Sequence, residues 1–173
     1  MVVVRPEVAS EHWHLSSDGR AAAEALAARD CWASVVRVYA SPEPKATATA
    51  QRICARNALP LSLEAGLREV ERPFVEGDYR AQAESYLRGE ALPGWEPREA
   101  ATVRIRDAID AILKAHSEAE VAVVSHGLAL SLFLARLLDL DGEATAGLWR
   151  GIAFPDHAIV DPGTRALVQP FSS

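Results

Sequence analysis

Apolar residues in this chain fall into short runs separated by longer amphipathic stretches, and the period shifts from one to the next. Residues 1–4 (MVVV) and 34–39 (SVVRVY) are brief β-branched runs that predict buried strands. Residues 61–63 (LSL), just after Pro60, predict a third. Residues 120–125 (EVAVVS) predict a central strand, apolar on both faces. Helical patterns lie between them. Ser16 or Ser17 with Asp18 precedes RAAAEALAAR, a capped segment of strong helix formers. Ser41-Pro42 ends the second strand, and Pro44 suits the first turn of a helix running to about Arg56. From Arg98 to His116, the residues Val103, Ile105, Ile109, Ile112 and Leu113 return to one helical face. Residues 128–138 are apolar nearly all round, as in a helix buried against a sheet. Pro73, Gly77, Gly89, Pro93, Gly94 and Pro97 make 70–97 the least regular part, with a short helix expected around 79–88. Residues 158–160 and 166–168, on either side of Asp161-Pro162-Gly163-Thr164, predict a terminal hairpin.

Strands alternating with helices predict one α/β domain over residues 1–173, with a mostly parallel central sheet and helices on both faces. In such sheets ligands bind beyond the carboxyl ends of the strands, and Arg5, Ser41 and His126 all fall there. The chain's 173 residues suffice for one well-buried domain. A composition 49% apolar and 24% charged is that of a folded globular protein. The net charge of −6 argues against a nucleic-acid surface. Cys31 and Cys54 have neither metal-ligand spacing nor the pattern of a disulfide framework, which favours a reducing, cytoplasmic setting. The start MVVVRPE does not read as a signal peptide, and the apolar run 128–134 is too short to span a bilayer. No cofactor fingerprint, glycine-rich phosphate loop or nucleophile elbow is present. A metal site from His12, His14 and His126 is only weakly suggested, so none is expected.

Four residues carry the candidate chemistry. Arg5 ends a strand, where a fixed guanidinium could grip phosphate oxygens; a surface arginine would look the same. Lys45 stands at a helix start, a credible anion site, although solvated helix lysines are the commoner case. Glu69 could act as a general acid if burial raised its pKa. It lies in a charged run with Arg68, Glu71 and Arg72, and Glu71 competes for the same register. His126 is the strongest of the four, because it stands between a buried strand and Gly127 at the entry to a buried helix.

Taken together, Val2 to about residue 160 resembles the histidine phosphatase (phosphoglycerate mutase-like) superfamily. The likeness is carried by SPEPKATATA at 41–50, by Ser125-His126-Gly127 between strand and helix, by LRE at 67–69 and by WHLSSDGR at 13–20. The resemblance implies a three-layer α/β sandwich. It also implies a phosphate pocket built from Arg5, Lys45 and His126, with Glu69 able to protonate a leaving oxygen. Family members begin Arg-His-Gly or Arg-His-Ala, and that histidine is the phosphorylated nucleophile. Here Arg5 is followed by Pro6-Glu7 and stands eight residues before Trp13, a shorter segment than relatives commonly have. A substitution or a short deletion fits equally well. His12 or His14 could stand in only if that loop folded back. The expectation is therefore a degenerate member, inactive or weakly active. It would bind a phosphorylated small molecule, a phosphate or sulfate ion, or a partner, with a homodimer also open. The alternatives are an active phosphomonoesterase using a substitute nucleophile or water, and a purely structural or interaction protein.

Overall fold

A computed structural model describes residues 10–74 and 77–171. Its centre is a parallel sheet of β1 (Val35–Ala40), β2 (Leu61–Leu63) and β3 (Glu120–Val124), in the order β2-β1-β3. The pleat sends alternate residues to opposite faces. Val38, Ala40, Ala122 and Val124 meet Leu26 and Ala27 of α1 (Ser17–Ala27) and Ala50 and Ile53 of α2 (Pro44–Asn57). Tyr39, Val121 and Val123 face Ile105, Ile109 and Ile112 of α4 (Arg98–Ala115) and Ala129 of α5 (Gly127–Leu138). The result is the expected sandwich with helices on both faces.

The local signals act where the sequence places them. Ser16 caps α1, its hydroxyl accepting from the Gly19 N–H at 3.0 Å. Pro44 opens α2, where its missing N–H costs nothing. Asp78 caps α3 (Tyr79–Arg88), which ends at Gly89 with φ 107, a left-handed geometry that favours glycine. The hairpin forms as β4 (Ile159–Asp161) and β5 (Ala166–Gln169), paired antiparallel.

Among the described residues β1 is flanked on both sides, and β3, half-buried, pairs with β1. The run at 1–4 lies outside the described residues. A sixth helix, α6 (Gly142–Arg150), has no counterpart in the apolar pattern. It is short and rich in small residues, and its docking is backbone-close. A β-carbon on Gly142 would lie 2.7 Å from the Arg88 carbonyl oxygen. Together α3, α5 and α6 enclose a second core containing Tyr86, Leu87, Trp95, Leu128 and Leu132. That layer explains why α5 is apolar all round: one flank meets α4 and the sheet, the other meets α3 and α6.

Candidate active site

Three buried polar residues, Ser41, Glu43 and His126, gather at the carboxyl end of the sheet. β1 delivers Ser41, wholly buried, whose N–H donates to the Val124 carbonyl at 2.9 Å and so ties the ends of β1 and β3 together. β3 delivers His126, 6% exposed, at the residue preceding α5. The His126 Nε2 lies 2.8 Å from the Ser41 Oγ, and Nδ1 bonds none of the described residues. A serine beside a histidine is the geometry of an activated nucleophile. Ser41, however, is fully enclosed and also accepts from the Glu43 N–H at 3.2 Å, so its role is to hold the imidazole. Burial first, then the charges of Lys45, Arg72 and Arg104, push the His126 pKa well below the ordinary 6.5, leaving a neutral ring.

Glu69 reaches this cluster from the loop after β2. One carboxylate oxygen accepts from the Val70 and Ala129 N–H groups, each at 3.0 Å, and the other from the Leu128 N–H at 3.4 Å. The carboxylate thus sits on the amino end of α5, where unpaired helix donors favour an anion. Burial nevertheless dominates and raises its pKa, against the lowering effects of Arg72, the Val70 and Ala129 amides and Lys45. That is the tuning a general acid needs. Glu71, the competing register, is exposed, and its N–H donates to Glu96 at 3.3 Å.

The loop itself is held by Arg104 of α4. Its guanidinium donates to the carbonyls of Gly66 (2.8 Å), Arg68 (2.9 Å) and Glu69 (3.3 Å) while pairing with Glu96 at 2.6 Å. The Ser125 hydroxyl donates to the Leu67 carbonyl at 2.7 Å. Two elements on the α4–α5 face therefore fix where Glu69 stands.

Lys45 points into the same region, but not into open space. Its Nζ lies 2.6 Å from Glu43 Oε2, and Glu43 is only 7% exposed. The other Glu43 oxygen accepts from the Glu69 N–H at 2.7 Å and lies 3.5 Å from His126 Nε2. Glu43 thus touches three of the site's residues, and the sequence reading missed it. In Ser-Pro-Glu-Pro-Lys it reads as a solvated turn residue, and nothing in the spacing indicates that it folds inward. Arg72 was missed too. Its guanidinium carbon lies 4.6 Å from the Tyr79 ring centroid and 5.8 Å from that of Trp95, a cation over two aromatic faces.

Structure thus brings Lys45, Glu69 and His126 together, while Arg5, with Pro6 and Glu7, lies outside the described residues. His12 and His14 are both exposed. Among the described residues no group of three histidine, cysteine or acidic side chains could hold a metal, so His12, His14 and His126 form no such site. Aromatic side chains border the cluster. A β-carbon on Gly127 would meet the Phe154 ring at 2.8 Å and Trp149 Nε1 at 3.0 Å, so glycine lets these rings close over the start of α5. No helix of the described residues is long and apolar enough to cross a membrane.

A strand-end histidine, a helix-start lysine and a buried glutamate thus lie together beyond the carboxyl ends of a parallel sheet in an α/β fold. The sequence model of the histidine phosphatase superfamily (branch 1) matches residues 9–151, and the chain belongs to that superfamily. Solved structures agree at the level of fold. YhfR of Bacillus stearothermophilus is 20% identical, with a TM-score of 0.73 over 95% of this chain and 88% of that one. A mycobacterial glucosyl-3-phosphoglycerate phosphatase, solved with inorganic phosphate, is 22% identical, with a TM-score of 0.65 over 84% and 79%. A phosphoglycerate mutase from Bacillus anthracis is 21% identical, with a TM-score of 0.59 over 73% and 69%. No curated protein matches the chain significantly.

Proposed function

We propose that this chain is a degenerate histidine phosphatase. It keeps part of a phosphate pocket, lacks the phosphoryl acceptor, and binds a phosphorylated small molecule or a phosphate ion with little or no turnover. The observation that carries this reading is Arg5-Pro6-Glu7, where the superfamily has Arg-His. Proline offers no nucleophile, and phosphohistidine chemistry needs an imidazole in line with the scissile bond. The rest of the cluster supports a retained pocket. His126 is neutral with Nδ1 unengaged by the described residues, Lys45 is a nearby cation, and Glu69 is shifted toward its protonated form. Arg5 is the fourth member of this proposed set. The phosphate found in one structural neighbour supports an anion as the ligand. The free thiols of Cys31 and Cys54 suit a cytoplasmic setting.

The raised pKa of Glu69 favours one second reading, a slow phosphomonoesterase in which Glu69 protonates the leaving oxygen and water attacks directly. Turnover of a generic aryl phosphate, with His126→Ala as control, separates the two. Near-background rates in both proteins support the degenerate reading. Turnover lost in His126→Ala and in Glu69→Gln supports the second.

A further inference from the structure

We infer that Glu43 is a resident counter-ion of the phosphate pocket, and that it sets the pocket's specificity against doubly charged oxyanions. The inference rests on the phosphate-pocket reading above. Three contacts carry it. The Glu43 carboxylate occupies the Lys45 ammonium at 2.6 Å, takes the Glu69 backbone N–H at 2.7 Å, and lies 3.5 Å from His126 Nε2. A cation, a backbone donor and an imidazole are the groups a phosphoryl oxygen would seek. A side-chain carboxylate already holds them, and it is almost fully withdrawn from water.

The placement is enforced by the backbone. Glu43 immediately precedes α2 between Pro42 and Pro44, and its own N–H donates to Ser41 Oγ at 3.2 Å. The side chain is therefore directed inward, under the residue that also orients His126. A phosphate dianion entering here must either draw Lys45 away from Glu43 or sit beside a buried negative charge. Both weaken binding, because like charges a few ångströms apart repel strongly where water is excluded. Glu43 acts on the ligand through Lys45 and through its own charge, and is thus a specificity-determining residue rather than a catalytic one.

Glu43→Gln tests this. The amide oxygen can still accept from the Glu69 N–H, while the negative charge facing Lys45 is gone. Inorganic phosphate binding is measured by calorimetry at a pH where phosphate is the dianion, on wild type, Glu43→Gln and Lys45→Ala. The expected result is affinity at least about tenfold tighter in Glu43→Gln than in wild type, and weaker in Lys45→Ala. Damage to the fold would not produce a gain. Equal or weaker binding by Glu43→Gln, with wild type still binding, overturns the role of Glu43 and leaves the pocket reading standing. Absence of binding in all three proteins overturns both. A crystal structure of the wild type with phosphate gives a check that needs no variant. Phosphate should lie against Lys45, either with Nζ drawn out of hydrogen-bonding distance of Glu43 Oε2 or with the Glu43 carboxylate directly beside it, and a phosphate bound clear of both side chains would contradict the inference.

Discussion

Two groups of charges in this protein use the same chemistry in opposite surroundings. Where α3 meets α6, Arg88 and Arg150 each reach both Glu84 and Glu143, at 2.6 to 3.4 Å. Three of its four side chains are open to solvent, Glu143 most at 63%, while Glu84 is 14% exposed. At the carboxyl end of the sheet the pairs are fewer but withdrawn from water: Lys45–Glu43, and Arg104–Glu96 with side chains 12% and 11% exposed. Exposed pairs gain little, because water screens them and long side chains lose freedom to meet. Buried charges are costly to desolvate and persist only when every oxygen and donor is matched. Each buried pair here also orients something else. Arg104 holds three loop carbonyls that set Glu69, and Glu43 holds Lys45 and the Glu69 amide. Density of ion pairs therefore marks surface, whereas burial with complete pairing marks the site.

The sharpest break in this contrast is Arg104→Ala. It leaves Glu96 without its main partner and three carbonyls without their donor, so it should cost about 3–5 kcal/mol of stability, as buried pairs do when one member is removed. Urea unfolding measures this, and a loss below about 1 kcal/mol would place Arg104 with the surface pairs.

A smaller effect comes from His126. Its folded pKa lies well below the ordinary 6.5, first through burial and then through the charges of Lys45, Arg72 and Arg104. Below about pH 6.5 the unfolded chain takes up a proton that the folded chain refuses. The stability from a neutral His126 is thus complete above that pH and is lost as pH falls, by up to about 1.4 kcal/mol per pH unit. Glu69, shifted upward, acts in the opposite sense and favours the folded state toward acid. Wild type minus His126→Asn isolates the imidazole. The difference in unfolding free energy should slope between about pH 7 and 5, and a flat difference would show that His126 titrates normally.

The smallest effect is expected at the other pole. Glu143→Gln removes a partner of both Arg88 and Arg150, yet the unfolding midpoint should not move measurably. A clear drop would mean that the exposed network does more than its surroundings allow.

These regions also differ in how far the sequence discloses them. Periodicity and end signals locate α1 to α5, the strands at 35–40, 61–63 and 120–124, and the hairpin, because each carries a strong apolar period or a turn signature. α6 escapes, since glycines and small residues give it little period and its place depends on contact with the Arg88 backbone. His126 is legible from its strand-to-helix junction, and Lys45 from its place at a helix start. Glu43 and Arg104 are not. Glu43 meets the Glu69 amide 26 positions away and Arg104 holds carbonyls 35 to 38 positions away, and only the assembled fold shows that they point inward.

In the degenerate reading proposed above, this pocket no longer passes a phosphoryl group through a histidine. That central claim is tested most directly by turnover of an aryl phosphate by the wild type beside a variant with His-Ala inserted after Arg5, with acid-labile phosphohistidine trapped in both. Near-background turnover and no phosphohistidine are expected in the wild type. Restoring the acceptor and the loop length should raise the rate, within a ceiling of about 10⁴–10⁶-fold set by losses of cooperating catalytic groups. Robust wild-type turnover that survives His12→Ala and His14→Ala, or phosphohistidine trapped on the wild-type chain, would contradict it.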